Sequence, residues 1–235
     1  MRLHRFYTTK PLGEEILKVE NVDLIHQLIN IFRYKEGSEV IFFSSDSYDY
    51  HYVLSSSSKR ELSFKLKDKK KGVVLNKRII LYMALVKKDA FEQIVRSCTE
   101  LGVTQFVPII AERSEKKNLN EERLKSIAIE ASEQSGRTEV PTISPIISLK
   151  DSLSFLENKG NVVVASLFGE KISSEKVKKV LTGKEIHIFV GPEGGWSDNE
   201  ERTFDEMCFT KIKLTDTVLR ADTGAQTMIS LSVLS

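Results

Sequence analysis

The rhythm of apolar positions changes along the chain, and that change divides it. In residues 1–75 apolar residues come in short runs between turn residues: Glu39-Val40-Ile41-Phe42-Phe43 after Gly37, then Tyr48 to Leu54 after Ser44-Ser45-Asp46-Ser47. Aromatic and β-branched residues between turn clusters predict a hairpin in a small β-rich domain. Leu24, Ile25, Leu28, Ile29 and Phe32 recur at helical spacing, so one helix is expected over Val22 to Phe32. Ser55 to Ser58 reads as a polar loop, and Ser63-Phe64-Lys65-Leu66-Lys67 alternates as a half-exposed strand does. The charged stretch Asp68 to Lys71, closed by Gly72, is the expected boundary between domains 1–71 and 72–235.

Beyond that boundary the runs lengthen. Arg78 to Val86 reads as a strand crossing a buried sheet, and Gln105 to Ile110 as a second. Between them Asp89 to Glu100 is amphipathic, apolar at Phe91, Ile94, Val95 and Cys98, and stopped by Leu101-Gly102. Residues 119–135 predict another helix with Leu124, Ile127, Ala128 and Ala131 on one side. Val162 to Leu167, Ile186 to Val190 and Lys211 to Leu214 predict further strands. Strands alternating with helices argue for an α/β domain with a mostly parallel sheet covered on both faces. Ligands of such sheets sit beyond the carboxyl ends of the strands. Leu167-Phe168-Gly169, the loop 191–195 and Leu214 to Asp222 should therefore converge.

The loop 191–195 carries the sharpest local signal. The apolar strand ends at Gly191-Pro192-Glu193-Gly194-Gly195, and Ser197 and Asp198 supply helix N-caps. Glu200 follows Ser197 by three, as a capping box requires. A glycine loop leading into a capped helix lets bare backbone N–H groups approach a ligand, although an ordinary strand-to-helix turn has the same look. No Gly-Lys-Ser/Thr follows and the G-x-G-x-x-G spacing is absent, so neither a P-loop nor a dinucleotide fingerprint is present.

Composition narrows the class. With 235 residues, 40% apolar and 29% charged, the chain can bury a full core as a soluble protein. It has no apolar run of about 18 residues, so no transmembrane helix is expected, and its first residues lack a signal-peptide core. Cys98 and Cys208 are too few for a disulfide framework or zinc site. A cytoplasmic protein without a metal is the expectation. Residues 1–75 carry 13 Lys and Arg against 10 Asp and Glu, and residues 76–235 carry 22 against 23. Arg2, Arg5, Arg33 and the lysines at 65, 67, 69, 70 and 71 make the front locally basic. Such a patch is either the footprint of a nucleic-acid partner or a solvated charge run.

Several of these stretches together resemble one family. Val190 through Ser197, with Leu214 through Val218-Leu219-Arg220-Ala221-Asp222-Thr223 downstream, is similar to the RsmE family of SPOUT-superfamily methyltransferases. Glu92 through Thr99-Glu100-Leu101-Gly102-Val103, Pro108, and Glu133-Gln134-Ser135-Gly136-Arg137 match as well. At the front, Arg5-Phe6 and His26 with Phe32-Arg33 are similar to that family's RNA-binding domain. The resemblance implies a small PUA-like β-barrel domain followed by a SPOUT-type parallel sheet with a C-terminal trefoil knot. It also implies a homodimer through the knot and the C-terminal helix, which uses S-adenosylmethionine to methylate uridine N3 in 16S rRNA of the small ribosomal subunit.

The resemblance assigns site residues. Gly191, Pro192, Glu193, Gly194 and Gly195, with Leu167 and Phe168, would hold the cofactor, as would Leu214, Val218 and Leu219. Arg220 would stabilise a uridine anion or orient RNA, the alternative being an ion pair with Asp222 or Glu193. Glu193 would either contact the cofactor or cap its own turn. Arg2, Arg5, Arg33, Gln134, Arg137 and Arg220 are the expected RNA contacts, with a helix-end role open for Gln134 and Arg137. His187 and Trp196 are expected to be structural. The family pattern Leu-Gly-x-Arg-Ile-Leu-Arg-x-Glu-Thr-Ala is met here with Thr215 for the glycine, Thr217 for the first arginine and Asp222 for the glutamate. Thr215 and Thr217 keep open a non-catalytic RNA-binding relative, and a SPOUT enzyme acting on tRNA or another rRNA site is the other alternative.

Overall fold

A computed structural model describes residues 3–114, 118–156, 161–173, 175 and 179–234. The chain divides into two compact units, Met1–Val74 with Ser132–Glu139, and Leu75–Ala131 with Val140–Ser235. In the first, strands β1 (Arg5–Tyr7), β2 (Ile16–Val19), β3 (Glu39–Phe43), β4 (Tyr48–Ser57) and β5 (Leu62–Lys71) form one sheet in the order β1-β3-β4-β5-β2. All neighbours are antiparallel except β1 and β3. Val40 and Phe42 alternate inward with Tyr50, Tyr52, Leu54, Leu62 and Phe64, and the Phe42 ring meets Tyr52 and Phe64 edge-on at 5.9 and 5.3 Å.

Three expectations for this unit change. Ser55 to Ser57 is strand, not loop, because its backbone pairs with β5 (Ser56 with Ser63, Ser57 with Leu62) while its side chains stay in water. Asp68 to Lys71 likewise continues β5, opposite Tyr48 to His51. A ladder is satisfied by backbone groups, so a polar or charged run on an exposed strand carries no hydrophobic signal of it. The helix over Val22 to Phe32 is not uniform. α1 (Val22–His26) passes into one π-helical turn, Gln27–Ile31, where the Phe32 N–H donates to the Gln27 carbonyl at 2.9 Å. Ile25 and Leu28 are buried, and Phe32 stacks on His4 at 4.0 Å.

The second unit is the expected α/β domain. Its elements are β6 (Arg78–Ala84), α2 (Lys88–Leu101), β7 (Gln105–Ile110), α3 (Glu121–Ser135), β8 (Thr142–Ile143), β9 (Ile147–Ser148), α4 (Leu149–Ser154), β10 (Val162–Lys171), β11 (Glu185–Val190), α5 (Asp198–Glu206), β12 (Thr210–Lys213) and α6 (Ala221–Leu234). The last turn of α3 falls in the first unit. The sheet is parallel in the order β12-β10-β11-β6-β7-β8, with β9 also on β7.

The side-chain period of two explains why its strands read as unbroken apolar runs. Ile79, Leu81 and Met83 pack on one face with Phe91, Ile94 and Val95 of α2 and Ala225, Met228 and Ile229 of α6. Ile80, Tyr82 and Ala84 pack on the other with Leu149 and Leu153 of α4 and Phe204 of α5. Among the described residues no helix is long and apolar enough to cross a membrane.

Candidate functional site

Because neighbouring strands run parallel, the carboxyl ends of β10, β11 and β12 open on the same side, and a cavity of about 260 Å³ lies there. It brings together every residue expected to hold a cofactor: Leu167 and Phe168 within β10, the loop Gly191 to Gly195 after β11, and Leu214, Val218 and Leu219 after β12. Arg220 lines the same cavity.

The glycine loop is fastened from several directions. Gly195 adopts φ 69°, a backbone region open to glycine, and its N–H closes on the Pro192 carbonyl at 2.9 Å. The capping box forms in full: the Glu200 N–H donates to Ser197 Oγ at 3.2 Å, and Glu200 Oε2 accepts the Ser197 N–H at 2.8 Å. Glu200 Oε1 also accepts the Glu112 N–H at 2.8 Å. Arg113 Nη1 donates to the Gly194 and Trp196 carbonyls, both at 3.0 Å. Trp196 is buried edge-on against Phe204 and donates from Nε1 to the Ala165 carbonyl at 3.0 Å, so it packs and anchors. His187 is also inside the fold, its Nε2 3.0 Å from Glu185 Oε1 and its Nδ1 3.3 Å from the Tyr82 hydroxyl.

The opposite wall is held more lightly. Thr215 Oγ1 donates to the Thr217 carbonyl at 2.7 Å, which closes the turn locally. Asp216 pairs with Lys171 and lies 3.8 Å from Lys213 Nζ. The hydrogen bond from Lys171 holds the Asp216 carboxyl below the usual carboxylate range. Arg220 is exposed, and among the described residues its guanidinium makes no ion pair with Asp222, Glu193 or any other carboxylate. Glu193 is exposed as well. A cation and an anion are thus both left available at one apolar-walled cavity.

The charged residues expected to meet RNA are placed unevenly. Arg2 lies outside the described residues. Arg33 is exposed at φ 55°, and Gln134 is exposed on the last turn of α3. Arg5 is instead buried: it pairs with Asp49, donates to the Arg137 carbonyl at 3.1 Å and lies over the Phe43 ring. Arg137 is buried too, and burial pulls its guanidinium down to about 10. Both serve the interior of the first unit, because a cation flanked by a carboxylate or enclosed by protein has no face left for a phosphate. The lysine run is partly neutralised by Glu15 on Lys65, Glu39 on Lys67 and Asp68 on Lys70, while Lys69 sits over Tyr48 at 4.0 Å.

Arg113, Ser166 and Glu201 also line the cavity and are absent from the sequence-based assignment. Arg113 was within reach of that reading, since it follows β7 at the same carboxyl edge. Ser166 and Glu201 become a pair only through the fold. Among the described residues no group of three or more His, Cys, Asp or Glu side chains is placed to hold a metal.

An α/β unit with a glycine-loop cavity at its strand ends defines a ligand-binding class, and comparison with known proteins gives that class a name. Residues 74–233 match the family model described as RNA methyltransferase domain. Over 223 residues the chain is 30% identical to ribosomal RNA small subunit methyltransferase E of Bacillus subtilis, covering 90% of this chain and 86% of that protein. The enzyme of the same name from Rickettsia conorii is 28% identical over 234 residues, 98% of this chain and 95% of that one. The crystal structure of the Neisseria gonorrhoeae enzyme, bound to S-adenosyl methionine, superposes with a TM-score of 0.86 at 25% identity, covering 97% of this chain and 96% of that one. The chain belongs to the ribosomal RNA small subunit methyltransferase E family.

Proposed function

We propose that this protein transfers the methyl group of S-adenosylmethionine to N3 of a uridine in 16S rRNA of the small ribosomal subunit. The observation that carries the reading is the single cavity at the carboxyl ends of β10, β11 and β12, lined by the glycine loop, the 214–220 segment and Arg220. Its residues fit the cofactor: Leu167, Phe168, Leu214 and Val218 offer apolar surface to an adenine, and the Glu193 carboxylate complements a cationic ligand. The names of the relatives and the S-adenosyl methionine held by the Neisseria gonorrhoeae protein support the same reading.

S-adenosylmethionine brings its own activated methyl group, so the chain's task is to orient and to manage charge. The glycine loop and the 214–219 segment would present backbone groups to the cofactor. Arg220 would stabilise the negative charge that uridine N3 gains as its proton leaves. Arg33 and Gln134, both exposed, remain the RNA contacts we propose in the first unit. A PUA-like domain over residues 1–71, a trefoil-knotted domain over residues 72–235, a homodimer through the knot and α6, and a cytoplasmic setting complete the proposal.

The test is transfer of labelled methyl from S-adenosylmethionine to 30S subunits, with naked 16S rRNA and tRNA alongside, and mass spectrometry of the labelled nucleotide. Label on uridine N3 in 30S particles is the expected result. Label confined to tRNA, or binding of RNA without transfer, would replace it with one of the other two readings.

A further inference from the structure

β10 pairs with β12 twice at the same partner. Ala165 lies opposite Ile212, and after a register break Glu170 lies opposite Ile212 again. Ser166, Leu167, Phe168 and Gly169 are therefore looped out of the ladder between them. Bulges of this kind re-aim side chains, and here the re-aimed side chains are Leu167 and Phe168 at the cavity, 51% and 74% exposed. Side chains so little packed cannot fix their own backbone. The base of the bulge is set by Gly169, where a Cβ would lie 2.6 Å from the Ile212 nitrogen.

We infer that Glu201 of α5 is a positioning residue for this cavity: through Ser166 it holds the 166–169 bulge in the shape that turns Leu167 and Phe168 toward the ligand. Ser166 Oγ donates to Glu201 Oε1 at 2.6 Å and accepts the Phe168 N–H at 3.0 Å. One hydroxyl thus links a carboxylate to the backbone at the tip of the bulge. Ser166 and Glu201 are 7% and 8% exposed, and a charge-assisted bond at such a site is stronger and more directional than one in water. Lys211 of β12 supplies the counter-charge. Its Nζ lies 3.1 Å from Glu201 Oε2, near enough for charge pairing though off the hydrogen-bonding direction, and 2.7 Å from Asp205. Glu201 is not needed as a cap, since Glu200 performs that duty alone. A buried carboxylate is costly unless it is bonded and paired, and here the hydrogen bond runs to the bulge while the charge pairing runs to the strand beside it.

The inference rests on the proposed cofactor for its ligand, and its test has two arms. In the first, Ser166→Ala and Glu201→Gln are compared with wild type for binding of S-adenosylmethionine, by calorimetry and by the fluorescence of Trp196, the only tryptophan. Each variant should weaken binding about tenfold, near 1.4 kcal/mol. The double variant should be no weaker than the worse single one, and Ser166→Thr should retain affinity. Equal affinity in all variants, or loss of melting temperature with affinity intact, would make Glu201 a stability group and overturn the inference. In the second arm, amide exchange at Phe168 needs no ligand: it should quicken in both variants, and an unchanged rate in Glu201→Gln overturns the inference independently. A wild type that binds no S-adenosylmethionine removes the proposed function, while the exchange arm still decides whether Glu201 holds the bulge.

Discussion

The two walls of the cavity differ in how they are held. The 191–197 loop is bound by a complete capping box, by the Glu112 amide, by two bonds from Arg113 and by the Trp196 indole on β10. The 214–220 segment has threonine hydrogen bonds across its own turn and exposed ion pairs from Asp216 to Lys171 and Lys213, and it ends in Arg220, which makes no ion pair among the described residues. The difference bears on two of the proposed tasks. A cofactor recognised by backbone groups needs a wall that does not move, because the entropy of ordering the loop is then settled at folding. A charge that answers the transition state must stay free of ground-state partners, or its field is already consumed.

The sharpest way to break this comparison is Arg220→Ala. Transfer to 30S subunits should fall about a hundredfold to a thousandfold, the scale of losing one charge-stabilising donor. Affinity for S-adenosylmethionine, read by calorimetry, should stay within about twofold of wild type, since Arg220 is not among the residues proposed to hold the cofactor. A parallel collapse of cofactor affinity would show that the two walls do not divide the work.

Arg113→Ala attacks the fastened wall. The side chain is exposed, so little core is lost, yet the Gly194 and Trp196 carbonyls lose their shared donor. Cofactor affinity should fall about tenfold, with a small change in melting temperature. Glu200→Gln tests the same wall through stability. It removes the charge that serves both Ser197 and Glu112, so unfolding free energy should drop by about 1 kcal/mol, measured by urea titration.

The fastened wall is also the one that could be read from the chain. Ser197 and Glu200 announce their box by spacing alone, and the glycines before them announce the loop, because both signals are local. The exposed wall was legible in its place, because it follows the strand read at Lys211 to Leu214, but its residue roles came only from a sequence resemblance, since nothing in Leu214 to Arg220 has a period or a cap. What stayed hidden is long-range. Glu201 meets Ser166 across 35 residues, and Arg113 meets Gly194 across 81. The burial of Arg5 and Arg137 was hidden for the same reason, since an arginine's sequence neighbours do not say whether Asp49 will enclose it. The π-helical turn after His26 and the serine end of β4 escaped because a backbone ladder leaves no mark on side-chain polarity.

The smallest expected effect comes from restoring charge to the light wall with Thr217→Arg. The turn itself should survive, because Thr215 Oγ1 bonds the backbone carbonyl at position 217, which the substitution keeps. Thr217 is exposed at the cavity, so an added guanidinium would reach solvent and any RNA bound there without displacing packed atoms. Cofactor affinity should therefore not change. RNA binding should become more salt-sensitive, the slope of log affinity against log salt steepening by about 0.7 to 0.9, the contribution of one additional phosphate contact. A steeper slope with unchanged S-adenosylmethionine binding would place RNA phosphate on the 214–220 wall. An unchanged slope would mean that RNA approaches the cavity from elsewhere, leaving Arg220 to act on the base alone.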